Sequence, residues 1–217
     1  SAAATDDSSR TGAVYGHPCD DPGTIPGQRS VAVELMSQSE VAIDTIVIPI
    51  GGGGLAAGMA AWLRERSPAT HLVGAEPAGA ASMRAALASG RPVALGEVDT
   101  FVDGAAVGRV GELTFPIVRD AFDEIVTVPE GAVCTEMLEL YQTEGVIAEP
   151  AGALASAALR GPLVRSPEGP VVCVVSGGNN DVSRYGERGE RSLLHEGLRH
   201  YFLVTFPQEP GALRHFL

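Results

Sequence analysis

The stretch TIVIPIGGGGLAAGMAAWLRER, residues 45–66, restricts the fold more than any other part of the chain. A β-branched run over residues 43–50 reads as a strand, and Leu55, Met59, Trp62 and Leu63 then recur at helical spacing. Between the two lie Gly51, Gly52, Gly53 and Gly54. A strand that enters a helix through glycines presents backbone N–H groups that no Cβ obstructs, at the positive end of the helix dipole. A phosphate is the natural occupant, because a plain strand-to-helix turn needs only one or two glycines.

The same alternation continues along the chain. Residues 71–76 (HLVGAE) read as a strand followed by a helix around 80–89, and residues 124–129 (EIVTVP) as a strand followed by a helix at 130–144. Residues 149–161 read as a helix with Pro150 in its first turn, and VVCVV (171–175) as a further buried strand that ends in SGGNND. Strands alternating with helices imply an α/β fold, a parallel twisted sheet with helices on both faces. Beyond about residue 186 the texture turns charged, and residues 200–217 read as a strand, a turn and the start of a helix. The first residues look like a helix tail leading into a strand. Both ends read as cuts, so a longer polypeptide is expected.

Charge narrows the range of partners. A net charge of −12 repels nucleic-acid backbones and anionic lipid, and no stretch approaches the length of a membrane helix. The expectation is a cytoplasmic protein whose partner is a small molecule. Cys19, Cys134 and Cys173 are scattered without CxxC spacing and read as buried reduced thiols, and the five histidines show no ligand spacing, so no metal site is expected.

Three phosphate ligands fit a glycine loop. A P-loop is excluded, because it needs a lysine on the phosphates and all 15 basic residues here are arginine. A dinucleotide stays open: Gly52, Gly54 and Ala57 satisfy G-x-G-x-x-A, and Glu76 ends the next strand where a ribose hydroxyl would be read. Pyridoxal phosphate, with a single phosphate on Gly51 to Gly54, is the third.

Six ordered blocks carry a family resemblance: HPCDDPGTIPGQRSVAVEL (17–35), VIPIGGGGLAAG (47–58), VGAEPAGAASMRAAL (73–87), TFVDGAAVGRVGELTF (100–115), VIAEPAGALA (146–155) and VVSGGNN (174–180). Together they resemble the threonine dehydratases, or threonine ammonia-lyases. The resemblance implies the large domain of a fold type II, tryptophan-synthase-β-type pyridoxal-phosphate enzyme over residues 1–190. Residues 191–217 resemble a linker and the beginning of an ACT-like α+β regulatory domain. The implied substrate is L-threonine, converted to 2-oxobutanoate and ammonia toward isoleucine, with L-serine able to enter the same site, and the implied assembly is a homo-oligomer.

By the same resemblance Gly51, Gly52, Gly53, Gly54 and Leu55 bind the phosphate through their N–H groups. Ser176 faces the pyridine nitrogen, and Gly104 lies close to the ring. A turn residue is the plainer reading of both Ser176 and Gly104. Glu149 either reaches toward the active site or sits at a helix N-terminus, the plainer of the two readings, and Asp20 and Asp21 read as loop or cap residues. Some related racemases hold a divalent cation near the position of Glu76, but the further carboxylate expected there is Ser82 in this chain. Arg29 stands where the family commonly carries a small residue, and is expected on the surface.

The missing lysine limits what these residues can do alone. The family holds the cofactor aldehyde on a lysine upstream of the HPCDDP block, and arginine cannot replace it, since a guanidinium stays protonated. No catalytic residue is therefore assigned within the chain. Two other classes stay open: a nicotinamide-linked oxidoreductase using Gly52, Gly54, Ala57 and Glu76, and a silent amino-acid-sensing paralogue. The intact mass of the natural polypeptide separates a fragment from a whole protein. The expected outcome is a mass well above 22.4 kDa, and a mass of 22.4 kDa would leave no turnover to look for.

Overall fold

The computed structural model describes residues 2–163, 165–206 and 209–216. The elements in chain order are α1 (Ala2–Thr11), α2 (Thr24–Gly27), α3 (Arg29–Gln38), β1 (Thr45–Pro49), α4 (Gly54–Arg66), β2 (His71–Pro77), α5 (Ser82–Ser89) and α6 (Thr114–Ala121). They continue as β3 (Glu124–Val128), α7 (Glu130–Glu144), α8 (Pro150–Ala157), β4 (Val171–Cys173), α9 (Tyr185–His195) and α10 (Ala212–Phe216). Among the described residues the strands form one sheet of order β3-β2-β1-β4, parallel at every pairing.

The sheet is covered on both sides, as the alternation predicts. Side chains alternate across a strand, so Ile46 and Ile48 of β1 point to one face and Val47 to the other. The first face packs against Met59 and Leu63 of α4, Met83 of α5 and Phe115 and Val118 of α6. The second packs against Val133 and Met137 of α7 and Leu154 of α8. β1 is buried along its whole length, which accounts for its unbroken apolar run.

Pairing order fixes where a cleft can open. From β1 the chain steps outward to β2 and then β3, and it returns to place β4 on the far side of β1. After β1 it enters α4 on the first face; after β4 it enters α9, which packs on α7 of the second. Connections that leave two adjacent parallel strands toward opposite faces leave a crevice beyond the strands' C-terminal ends. Gly51–Gly54 follow β1 and Ser176 follows β4, so both border that crevice.

Several expectations need correction. Residues 12–17 and 200–206 carry no strand. Neither segment has a ladder partner among the described residues, and a strand is stable only when paired. The turn expected near residues 207–208 lies outside the described residues. The strand expected over 171–175 is shorter and only half-buried, with β1 as its one neighbour among the described residues; Val175 is 43% exposed. The helix read over 149–161 does start at Pro150 and reach its cap at Gly161, its last turn tightening from α8 into a 3-10 turn over Ala158–Arg160. Arg29 lies on the surface, as expected.

A carboxylic acid sits inside the core. Glu76, at the end of β2, is fully buried, and its two carboxylate oxygens accept the N–H groups of Met83 at 2.6 Å and Arg84 at 2.9 Å. Burial pushes its carboxyl up to about 7, while the two N–H groups and the nearby Arg84 charge pull it back down. The folded chain therefore holds a proton that an unfolded glutamate, with a pKa of about 4.3, has already lost. Stability from this group is fully present below that value and is lost as pH rises through about 7. Urea unfolding of the full-length protein and its Glu76→Gln variant at several pH values checks the sign. The wild type loses on the order of 3 kcal/mol relative to the variant between about pH 5 and pH 8. A pH-independent difference would exclude the burial effect.

Candidate active site

The glycine loop takes its shape from Gly53. This residue caps the N-terminus of α4 at φ +92°, a left-handed conformation that favours glycine, and no side chain caps the helix. On the strand side Ile50 N–H still bonds to Ala75 C=O at 2.8 Å, and on the helix side the first bond back into the loop is Ala57 N–H to Gly53 C=O at 2.8 Å. Between them the N–H groups from Gly51 to Ala56 donate to no acceptor among the described residues. Such a row of free donors at a helix N-terminus suits an anion with several oxygens.

The structure brings every site residue read from the sequence to one cavity. Gly51, Gly52, Gly53, Gly54, Leu55, Gly104 and Ser176 all line a space of about 290 Å³ at the crevice between β1 and β4. Ser176 is exposed toward it. Gly104 belongs to a turn that presses on α8, where an added Cβ would come within 2.9 Å of Ala151 Cβ. The turn reading holds, and the turn glycine also lines the cavity.

Cys19 is a lining residue that sequence reasoning missed. Read as a buried thiol, it is instead half-buried, and its Sγ stands where a side chain on Gly52 would start. Burial, and then the neighbouring Asp20 charge, hold its pKa above the ordinary thiol value. Its position inside the HPCDDP block was the available signal, because that segment passes under the loop. Cys134 is buried as expected, whereas Cys173 is only half-buried on the edge strand.

Two carboxylates behave differently from expectation. Glu149 does stand at the N-terminus of α8, but its side chain makes no cap bond. It folds instead beneath Gly177 and accepts the Asn179 N–H, and burial followed by the Asp103 charge raises its pKa. The cause is local: Glu149 N–H is bonded to Gly177 C=O at 3.1 Å, which brings the carboxylate under the SGGN loop. Glu76, the residue a dinucleotide site would need, is enclosed by its bonds to α5 and does not line the cavity. Asp21 caps the turn into α2 through the Gly23 and Thr24 N–H groups.

Outside this site, a groove of about 420 Å³ runs beside edge strand β3, lined among others by Arg84, Arg160 and His195. It holds none of the residues read as functional. No cluster of three or more His, Cys, Asp or Glu among the described residues is placed to hold a metal, and no described helix is long and apolar enough to cross a membrane.

A row of free N–H donors and an exposed hydroxyl in one cavity suit a small ligand that carries a phosphate. Comparison with known proteins agrees. The family described as pyridoxal-phosphate dependent enzyme matches residues 1–177, and the C-terminal regulatory domain of threonine dehydratase matches residues 190–217. The chain is 59% identical over 218 residues to L-threonine dehydratase biosynthetic IlvA of Mycobacterium tuberculosis, and 54% identical over 222 residues to that of Corynebacterium glutamicum. In both cases it is matched along 100% of its length but spans only 51% of the relative, about half. Among solved structures, the processed form of threonine deaminase isoform 2 from Solanum lycopersicum superposes with a TM-score of 0.80 at 35% identity, over 87% of this chain and 55% of that one. The chain belongs to the family of pyridoxal-phosphate dependent enzymes.

Proposed function

We propose that these residues form the cofactor-phosphate and ring-nitrogen half of a threonine dehydratase, which releases 2-oxobutanoate and ammonia from L-threonine and admits L-serine. The observation that carries this reading is the meeting, in one crevice, of the free N–H row of Gly51–Ala56 with Ser176 at the end of the neighbouring strand. The relatives named dehydratase or deaminase support it, each over about half its length. Location in the cytoplasm, assembly into a homo-oligomer and a regulatory unit beginning near residue 191 belong to the same reading.

Bound pyridoxal phosphate supplies an electron sink for the bond broken at the substrate's α-carbon. The chain's own residues bind and orient it. Gly51–Leu55 offer N–H donors and the α4 dipole to the phosphate dianion, so that its charge is met without a lysine or arginine. Ser176 offers a hydroxyl, with a pKa far above that of a carboxylic acid, to the ring nitrogen. A carboxylate there would hold a proton on that nitrogen, whereas a hydroxyl leaves it largely neutral and favours prompt loss of the β-hydroxyl over a long-lived carbanion. Glu149 lies beneath the SGGN loop that carries Ser176, where burial and then the Asp103 charge raise its pKa.

The amine that must take and return the α-proton is not among these 217 residues, which contain no lysine. The 217-residue chain alone is expected to give no 2-oxobutanoate. The full-length protein is expected to consume L-threonine, and L-serine with about 10-fold or more lower specificity, the discrimination expected of one methyl group. Ser176→Ala is expected to lower kcat/KM for threonine by about 10-fold, through loss of one buried hydrogen bond. A coupled assay of 2-oxo acid release checks all three. A full-length protein that ignores threonine, or a Ser176→Ala variant with unchanged kcat/KM, would overturn the reading.

A further inference from the structure

The glycine loop is gripped from behind by residues that do not line the cavity. The Thr114 hydroxyl, buried at the start of α6, donates to the Gly52 carbonyl at 2.7 Å, and the Gly111 N–H reaches the same oxygen at 3.3 Å. A trans peptide carries its C=O and N–H on opposite sides. Fixing the Gly52 carbonyl toward Thr114 therefore turns the Gly53 N–H away from Thr114, to the side where Gly51–Leu55 line the cavity. A peptide between two glycines has no Cβ to resist rotation, so without a clamp it can present either its N–H or its C=O to a bound anion.

Thr114 is in turn held by a residue far away in sequence. Asp20 Oδ2 accepts the Glu112 N–H at 2.9 Å, and Asp20 Oδ1 accepts those of Leu113 at 2.8 Å and Thr114 at 3.3 Å. His17 Nδ1 accepts the Asp20 N–H at 2.9 Å and the Cys19 N–H at 3.3 Å, which fixes the segment from which Asp20 reaches across. One carboxylate thus joins the HPCDDP segment to the helix that carries the clamping hydroxyl.

We propose that Thr114, held in place by Asp20, is a positioning residue that aims the Gly53 N–H at the cofactor phosphate and so sets the preference for phosphorylated over unphosphorylated pyridoxal. This rests on the phosphate-site reading of the loop. The pair acts on one peptide group, so its effect falls on the phosphate end of the ligand and spares the ring.

The test uses the full-length protein freed of cofactor. Dissociation constants are measured for pyridoxal phosphate and for pyridoxal by absorbance titration, together with the phosphorus NMR resonance of the bound phosphate. Thr114→Val keeps the side-chain shape and removes the donor. It is expected to cut the preference for the phosphorylated form by roughly 10-fold or more and to move the phosphorus resonance, while pyridoxal affinity stays near that of the wild type. Thr114→Ser keeps the donor and is expected to retain the preference. An unchanged preference in Thr114→Val, or an equal loss in Thr114→Ser, overturns the proposal and leaves the phosphate site standing. A wild-type protein with no preference for the phosphorylated form overturns the phosphate-site reading and the proposal together. Urea unfolding reports whether Thr114→Val is folded; if it is not, the preference of Asp20→Asn decides the matter by the same criterion, a loss supporting the proposal and no change overturning it.

Discussion

The parallel pairing of β1 with β4 is the contact on which the site depends. Thr45, Ile46 and Val47 are in register with Val171, Val172 and Cys173, and Val174 N–H continues the ladder to Val47 C=O at 3.0 Å. This pairing carries two segments that are more than 120 residues apart in sequence to the same end of the sheet. It costs loop-closure entropy that no local turn offsets, so it must be stabilised by the two cores packed against β1 from either face. Without it, the glycine row would be a helix N-terminus with free donors and nothing opposite.

Local chemistry made much of this legible. The apolar run before Gly51, the helical spacing after Gly54 and the recurrence of strand and helix each depend on residues a few positions apart, and the structure follows them from β1 through α8 apart from α6, which no reading anticipated. Reading failed where the outcome depends on a distant partner. Residues 200–206 have strand composition but no neighbour to pair with among the described residues, and β4 is short, with β1 its one partner there. The same distinction runs through the site. Gly51–Gly54 announce themselves by composition. The Asp20 contacts to residues 112–114 span more than 90 positions and the Thr114 contact to Gly52 spans 62, so neither leaves a periodic trace, and Cys19 looks like any isolated thiol until the chain folds it under the loop.

Glu76 and Glu149 show how burial separates carboxylates that look alike in sequence, each followed by Pro, Ala and Gly in EPAG. Glu76 sits inside the first core and takes two N–H bonds from α5, which makes it a fixture of the fold with no opening to the ligand side. Glu149 sits beside the SGGN loop and turns its carboxylate under the backbone that positions Ser176. The repeat is one of sequence, and its two copies meet different surroundings at the same end of the sheet.

Cys19 makes two neighbouring glycines unequal. A methyl on Gly52 would collide first with the Cys19 side chain, 2.5 Å from Sγ, whereas a methyl on Gly54 would also meet the Cys19 backbone, 2.9 Å from both Cα and the carbonyl oxygen. Shrinking residue 19 relieves the first clash and leaves the second in place. Evolution therefore has a two-step route to alanine at position 52, through a smaller residue at 19, and no comparable route at 54 short of moving the chain. Within one uninterrupted run of four identical residues, the capacity to drift is decided by whether the opposing atom belongs to a side chain or to the main chain.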